Sequence, residues 1–316
     1  MSEWWVGEAL RSTRSHLVEI PAATVQRLSA TLPDPFMRPT AQLSVAQHRP
    51  LADRLVGDLA AEVLARIRRG PGLAVLTGVG LADLTDDQLS YLIFGISLVG
   101  GRPMKQNPEG DRLVSVRDEH PADPDVRGYR TNRGLKMHTD AADLAALLCL
   151  RQGCDGGVNR FAHSTTVHDV LVDEVPRLVP ELYRDWEWDR RGLEPPGEPP
   201  TLTSPVYSYY GGMLSCRYAP VLLREGAARA GGALTPERVS VLDRFDEVAH
   251  REPLTVTHRM DRGESVWFDN YRILHARDEF VDGGDATEQR HLLRTWVWLD
   301  DPPPLAAHFA SPREVY

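Results

Sequence analysis

Hydrophobic and polar positions divide the chain into two textures. Over residues 51–70, Leu51, Leu55, Leu59, Val63, Leu64 and Ile67 recur near one face at the helical period, and Gly70 with Pro71 ends that helix. The run "GLAVLTGV", residues 72–79, is short and continuously apolar, which predicts a buried strand. Thr85 has Gln88 three positions on, the pair that caps a helix reciprocally. The helix it opens runs through "QLSYLIFGISLVGG" to Gly100-Gly101. From about residue 110 short strand-like runs alternate with turns instead. "VYSYYGGMLSCRY", residues 206–218, predicts a hairpin, because Gly211-Gly212 can take the positive φ angles of a tight turn. Helical stretches interrupt the strands at 165–183 and from Thr235-Pro236 to about His250. The proline-rich run 192–205 reads as a loop.

Many short, turn-bounded strands predict a jelly roll or barrel rather than a doubly wound sheet. The expected fold is α+β with a mainly β core and flanking helices, in a single domain over 1–316. Residues 1–70 form a mainly helical N-terminal extension packing on that core, and 160–250 carry the helical inserts and the hairpin.

Composition narrows the class. The chain has 316 residues, 42% hydrophobic and 26% charged, as a globular protein with a substantial core does. It contains no long uncharged apolar run, and its first twenty residues carry charges throughout, so a cytoplasmic protein is expected. A net charge of −9 offers no basic face for nucleic acid, which leaves a small molecule as partner; a homo-oligomer is compatible with the same composition. Cys149, Cys154 and Cys216 are scattered, and are read as small buried hydrophobes rather than a disulfide framework. No glycine-rich nucleotide fingerprint follows a predicted strand.

The candidate chemistry starts in "LKMHTDAADLAALLCL", residues 135–150. On a strand, His138 and Asp140 share a face and can reach one metal together. The best-placed third ligand is His275, in "RGESVWFDNYRILHARDEF" (262–280), where Asp269-Asn270 turn the chain between two strands. Two histidines and one carboxylate form the facial triad of non-haem Fe(II) oxygenases, which leaves coordination positions open for a co-substrate and O2. Many such enzymes use 2-oxoglutarate, and its distal carboxylate needs a planar cation. In "QRHLLRTWVW", Arg290 and Arg294 stand four apart and share a strand face.

His138-Thr139-Asp140, Gly156-Gly157, "DNYRILHAR" and "RHLLR", in this order and spacing, resemble the TauD/TfdA-like (clavaminate synthase-like) family of Fe(II)/2-oxoglutarate dioxygenases, from roughly residue 72 to 300. The resemblance implies a distorted double-stranded β-helix, a cupin-like jelly roll, with helices outside. It implies Fe(II), 2-oxoglutarate and O2, and decarboxylation of 2-oxoglutarate to succinate and CO2 coupled to oxidation of a C–H bond. Carried over by residue, His138, Asp140 and His275 are the iron ligands and Arg290 pairs with the distal carboxylate. Arg294 matches a position that in some members faces an anionic group of the substrate; balancing local charge is the other reading. Asn159, two after the glycine pair, stands where relatives often carry Thr or Ser to help 2-oxoglutarate. The link from Asp140 to Gly156 is shorter than in taurine dioxygenase, so taurine is not implied.

The expected reaction is hydroxylation of a small polar molecule, an amino-acid derivative or an intermediate of secondary metabolism. Desaturation or cyclisation starts from the same chemistry. A jelly-roll protein that binds a small carboxylate without turnover is the alternative, and a zinc hydrolase would need a general base that is not evident. Arg277 reads either as support for the site or as a solvated edge residue. "YRTN" (129–132), Arg217-Tyr218 and "MKQN" (104–107) are candidates for the substrate pocket, and the aromatic residues Trp186, Trp188, Tyr207, Tyr209, Tyr210, Trp267, Trp296 and Trp298 are read as mostly core.

Overall fold

In a computed structural model, which describes residues 5–32, 44–107, 109–120, 126–192, 194 and 197–310, the N-terminal region supplies both helices and a strand. Helix α1 (Gly7–Thr13) leads into strand β1 (Leu17–Glu19). Helices α2 (Ala22–Thr31) and α3 (Val45–Arg69) follow, then β2 (Leu73–Thr77). Strand β1 runs parallel to β2. The long helix begins six residues before the predicted start and carries Pro50 in its second turn. Helix α4 (Asp86–Gly100) has the reciprocal Thr85–Gln88 cap that the sequence predicts, and nearly all of it is buried between α3 and the sheet.

The β core follows. Strands β3 (Gly101–Pro103), β4 (Val114–Val116), β5 (Leu135–His138), β6 (Leu144–Arg151), β7 (Asp155–Gly156) and β8 (Asn159–His163) come first. After helix α5 (Ser164–Glu174) come β9 (Trp186–Asp189), β10 (Thr201–Ser204), β11 (Tyr207–Tyr210) and β12 (Met213–Cys216). Helices α6 (Pro220–Arg229) and α7 (Pro236–Ala249) precede β13 (Thr255–His258), β14 (Ser265–Asp269), β15 (Ile273–Arg277), β16 (Phe280–Val281) and β17 (His291–Leu299). A short helix, α8 (Ala307–Ala310), closes the described chain.

Two sheets make the jelly roll. The larger has the order β1-β2-β14-β6-β17-β3, with β4 also on β17; the smaller has the order β13-β8-β15-β5. A cluster including Cys149, Phe161, Phe268, Ile273, Leu292 and Trp296 fills the space between them. The turn predicted at Asp269-Asn270 is present, and it carries the chain from β14 in one sheet to β15 in the other. Arg272 stabilises this crossing by donating to Asp269 (2.8 Å) and to the Ile67 carbonyl.

Four expectations need correction. The stretch 165–183 is two pieces, α5 and a 3₁₀ turn at Val179–Tyr183, because Pro176 cannot continue the helix. The run 192–205 ends in β10, which pairs with β9; residues 193, 195 and 196 lie outside the described residues. Cys154 is exposed, since it sits in the turn before β7, while Cys149 and Cys216 are buried. Tyr209 and Tyr210 stand in solvent at the tip of the β11–β12 hairpin, which pairs only with itself. Gly211 and Gly212 at that tip have φ 58° and 84°, as the turn requires.

Candidate active site

The site is assembled by strand register. Strands β5 and β15 are antiparallel with His138 directly opposite His275, so both imidazoles leave the sheet on the same side. Their ring centres are 4.1 Å apart. Asp140 is not on the strand with His138: β5 ends at His138, because the next residue bonds elsewhere. Thr139 donates its N–H to the Tyr218 carbonyl (2.7 Å), and the Tyr218 N–H donates to Thr139 Oγ1 (2.9 Å). The chain stays extended long enough to return the Asp140 carboxylate to the histidines. His138 Nε2 lies 3.9 Å from Asp140 Oδ1, and His275 Nε2 lies 3.6 Å from Asp140 Oδ2. Ligand atoms of all three residues lie within 4.8 Å of one another, the one such group among the described residues.

Neighbours fix these groups in orientation. His138 Nδ1 meets the Lys136 carbonyl at 2.8 Å, so that nitrogen carries the proton and Nε2 keeps its lone pair. Trp296 Nε1 donates to Asp140 Oδ2 (2.8 Å), and the Asp140 N–H donates to Asn270 Oδ1 (3.2 Å). Burial, and then the adjacent His275, push His138 down to about 4, so it is neutral at pH 7. Burial opposes the charge on Asp140, but His275, Arg294 and His138 outweigh it and hold the carboxyl below its usual range. Lone pairs of two imidazoles and one ionised carboxylate, brought within reach of one another, form a donor set that fits a divalent iron.

Two cavities meet at these residues. The outer one, about 620 Å³, is lined by Tyr271, Arg217, Trp298 and residues of β9 and α6. The inner one, about 40 Å³, is lined by Arg290, Arg277, Asn159, Phe268, His275 and Leu292. His138, Asp140, Tyr129 and Arg294 border both.

Arg290 is the most buried arginine of the inner chamber. It is 1% exposed, and its Nε, Nη1 and Nη2 all lack a protein partner. Its guanidinium sits 4.9 Å from the Phe280 ring centre. Burial, and next the Arg277 charge, pull it down to about 9. A guanidinium stays ionised at physiological pH, so this depression marks a buried cation without its anion. Gly157, at φ +66°, seats it: a Cβ there would lie 2.9 Å from Arg290 Nε. Gly156 allows a close backbone approach, since a Cβ there would meet the Glu279 carbonyl just before β16 at 2.1 Å. Asn159 borders the chamber with its Nδ2 donating to the His258 carbonyl (3.3 Å), which leaves one amide hydrogen for a ligand.

Arg294, on the same strand as Trp296, donates Nε to Gln106 Oε1 (2.9 Å) and stacks 4.9 Å from Tyr129 and 4.3 Å from Trp296. Tyr129, Thr131, Arg217 and Gln106 are therefore at or beside the cavities, whereas Tyr218 is a buried support whose hydroxyl donates to Asp246 (2.7 Å). Sequence reading missed the Trp296–Asp140 bond. Trp296 lies two after Arg294 on one strand, so period-two alternation put both on the face that holds the site. It also missed Asn270, and Trp188, Asp189 and α6 in the outer wall; Arg190, Arg191 and Leu202 of that wall fall in the run 190–205, where the sequence places a substrate loop. Asp143 is no ligand: it accepts from the Tyr271 hydroxyl (3.1 Å) and the Leu299 N–H (3.0 Å).

Residues 38–296 match the taurine catabolism dioxygenase TauD, TfdA family. Over 265 residues the chain is 35% identical to FR-33289 synthase of Streptomyces rubellomurinus (strain ATCC 31215), covering 80% of this chain and 77% of that protein. Its fold is similar to asparagine oxygenase solved with Fe(II), 2S,3S-3-hydroxyasparagine and succinate (TM-score 0.69, 22% identity, 90% of this chain and 93% of that one). It is also similar to the non-heme iron oxygenase OrfP solved with Fe, succinate and (3S)-hydroxy-L-Arg (TM-score 0.65, 15% identity, 90% and 94%).

Proposed function

Because the chain belongs to the taurine catabolism dioxygenase TauD, TfdA family, we propose that His138, Asp140 and His275 hold its iron and that Arg290, with Asn159 beside it, receives 2-oxoglutarate. The protein is an iron(II)- and 2-oxoglutarate-dependent dioxygenase. When bound, the iron supplies the redox chemistry that couples decarboxylation of 2-oxoglutarate to oxidation of a substrate C–H bond. The observation that carries this reading is the buried Arg290, three nitrogens unpartnered, in a chamber that His138, Asp140 and His275 also line.

The chain's own residues do the rest. The Lys136 carbonyl and Trp296 set the aim of His138 and Asp140 before any ligand arrives. Phe268, Leu292, Val116 and Leu147 make the inner chamber apolar around Arg290, so water is excluded where a carboxylate pairs with it. The prime substrate occupies the outer cavity, with Arg294 at the boundary to hold an anionic group. An amino-acid derivative, or an intermediate of secondary metabolism, fits that position, and hydroxylation is the expected outcome. A binder without turnover has no use for a metal face open to two cavities. Residues 1–316 act as one catalytic domain in this reading. Net charge −9 argues for a small molecule rather than nucleic acid as partner, and no described helix is long and apolar enough to cross a membrane.

The test uses purified protein with Fe(II) and 2-oxoglutarate. Without O2 a weak visible charge-transfer band is expected; with O2, an amino-acid derivative from a screened panel is expected to raise succinate release. No band, together with no succinate across amino acids, short peptides and carboxylic acids, overturns the reading.

A further inference from the structure

Arg277 lies two residues after His275 and is 5% exposed, yet none of the roles above employs it. Its Nη2 donates to the carbonyls of Thr131 (2.8 Å) and Arg133. Its Nε and Nη1 are buried with no protein partner. The guanidinium stands 4.8 Å from the Phe280 ring centre, the same ring that Arg290 faces at 4.9 Å. Both arginines line the inner chamber. Thr131 and Arg133 line the outer cavity. Arg277 therefore has one end in each compartment. A brace for the loop alone would need only the nitrogen that binds the two carbonyls, and the other two would face water. Instead two like charges share a chamber of low dielectric, where their repulsion is weakly screened and one anionic group relieves both. Asp118 is the acid that acts on Arg277 from a distance, but its carboxylate is engaged by the N–H and imidazole of His120.

We propose that Arg277 is a positioning residue that couples the two cavities. The carboxylate received by Arg290 also completes Nε and Nη1 of Arg277, and through Nη2 this fixes the 131–133 wall against which the prime substrate is held. The inference rests on the reading of Arg290 given above. It makes filling of the inner chamber a condition for a well-formed outer wall.

The test uses the full chain loaded with redox-silent Mn(II). Calorimetry compares 2-oxoglutarate with 2-oxopentanoate, which keeps the keto-acid end and lacks the distal carboxylate. Hydrogen exchange is followed over residues 128–135 with and without each ligand. Wild type is expected to prefer 2-oxoglutarate, which slows exchange in that segment. Arg277→Gln should weaken 2-oxoglutarate roughly tenfold, the worth of a charge-assisted bond, leave 2-oxopentanoate unchanged and lose the slowed exchange. Arg277→Lys guards against misfolding: one ammonium cannot serve both compartments, so part of the preference survives while the protection is lost. Either variant keeping both preference and protection, or Arg277→Gln losing the two ligands equally, overturns the coupling. If wild type itself shows no preference between the ligands, the Arg290 reading falls and this inference with it.

Discussion

The two cavities treat charge in opposite ways. Around the outer one three cations are matched by acids of the protein: Lys136 with Asp246 (2.8 Å), Arg190 with Glu198 (2.5 Å) and Arg191 with Glu225 (2.7 Å). These pairs are partly exposed, and such pairs contribute only about 0–1 kcal/mol each. In the inner chamber Arg277 and Arg290 keep buried nitrogens with no protein partner. Leaving a charged donor bare costs more than most surface pairs return. A wall that satisfies itself says little about what it binds; a chamber that does not is shaped for a particular visitor. This is why the co-substrate follows from the geometry more directly than the prime substrate does.

The strongest way to break the comparison is at the junction. Asp140→Ala removes the carboxylate that faces both histidines and should cut metal affinity by more than about 100-fold, beyond the 10–100-fold typical of residues that merely support ligands. Metal content after dialysis measures this, and retention of stoichiometric iron would contradict the proposed triad. Next, Arg290→Gln should raise the KM for 2-oxoglutarate by roughly 100-fold, from loss of a bidentate charge-assisted pair. The matched change Arg191→Gln in the outer wall should leave that KM within about twofold. Equal effects would erase the distinction between the cavities. A smaller effect is expected for Trp296→Phe, which deletes the bond to Asp140 Oδ2 while keeping an aromatic ring. About tenfold weaker iron binding, with folding unchanged, is the expected result of an iron titration followed by the charge-transfer band; an unaltered titration would remove Trp296 from the support of the site.

The smallest effect concerns an unsatisfied group away from both cavities. His163 Nε2 is buried without a partner, and burial followed by the Arg272 charge pushes the imidazole down to about 3. His16 is pushed down to about 4 by burial, then by His258 and Arg14. The unfolded chain binds protons at these residues near 6.5, so between that pH and the folded values it binds more protons than the native state. Stability therefore falls as pH drops below 6.5, by at most about 1.4 kcal/mol per pH unit for each histidine. Urea midpoints of metal-free protein from pH 7 to pH 5 should fall less steeply in His163→Gln than in wild type. Identical slopes would show that this histidine's burial does not govern acid stability.

How much of this was legible in the sequence depended on the range of the interaction. The Thr85 cap and the Gly211-Gly212 turn are local and were read correctly, because the groups that satisfy them lie within four residues. The side chains of His138, Asp140, His275 and Arg290 were found through ordered motifs, and they do come to the junction and the inner chamber. Their means of meeting was not legible. Asp140 was expected on the strand with His138, and only tertiary bonds from Thr139 to Tyr218 explain why the strand stops one residue earlier. The sequence does not decide between two roles for Arg277, since its carbonyl partners at 131 and 133 are far away along the chain. The outer wall was least legible, as β9 and α6 are recruited by packing rather than by any pattern of their own.

The facing of His138 and His275 across β5 and β15 has a further consequence, for how the protein is made. Nearly half the chain separates the two residues, and β5 lies at the edge of its sheet, touching β15 alone. Closing so long a loop comes late in folding, because its entropy is lost before its contacts form. A nascent or half-folded chain holds His138 and Asp140 together but not His275. If these three residues hold the iron as proposed, a chain that retains the metal has already paired β5 with β15.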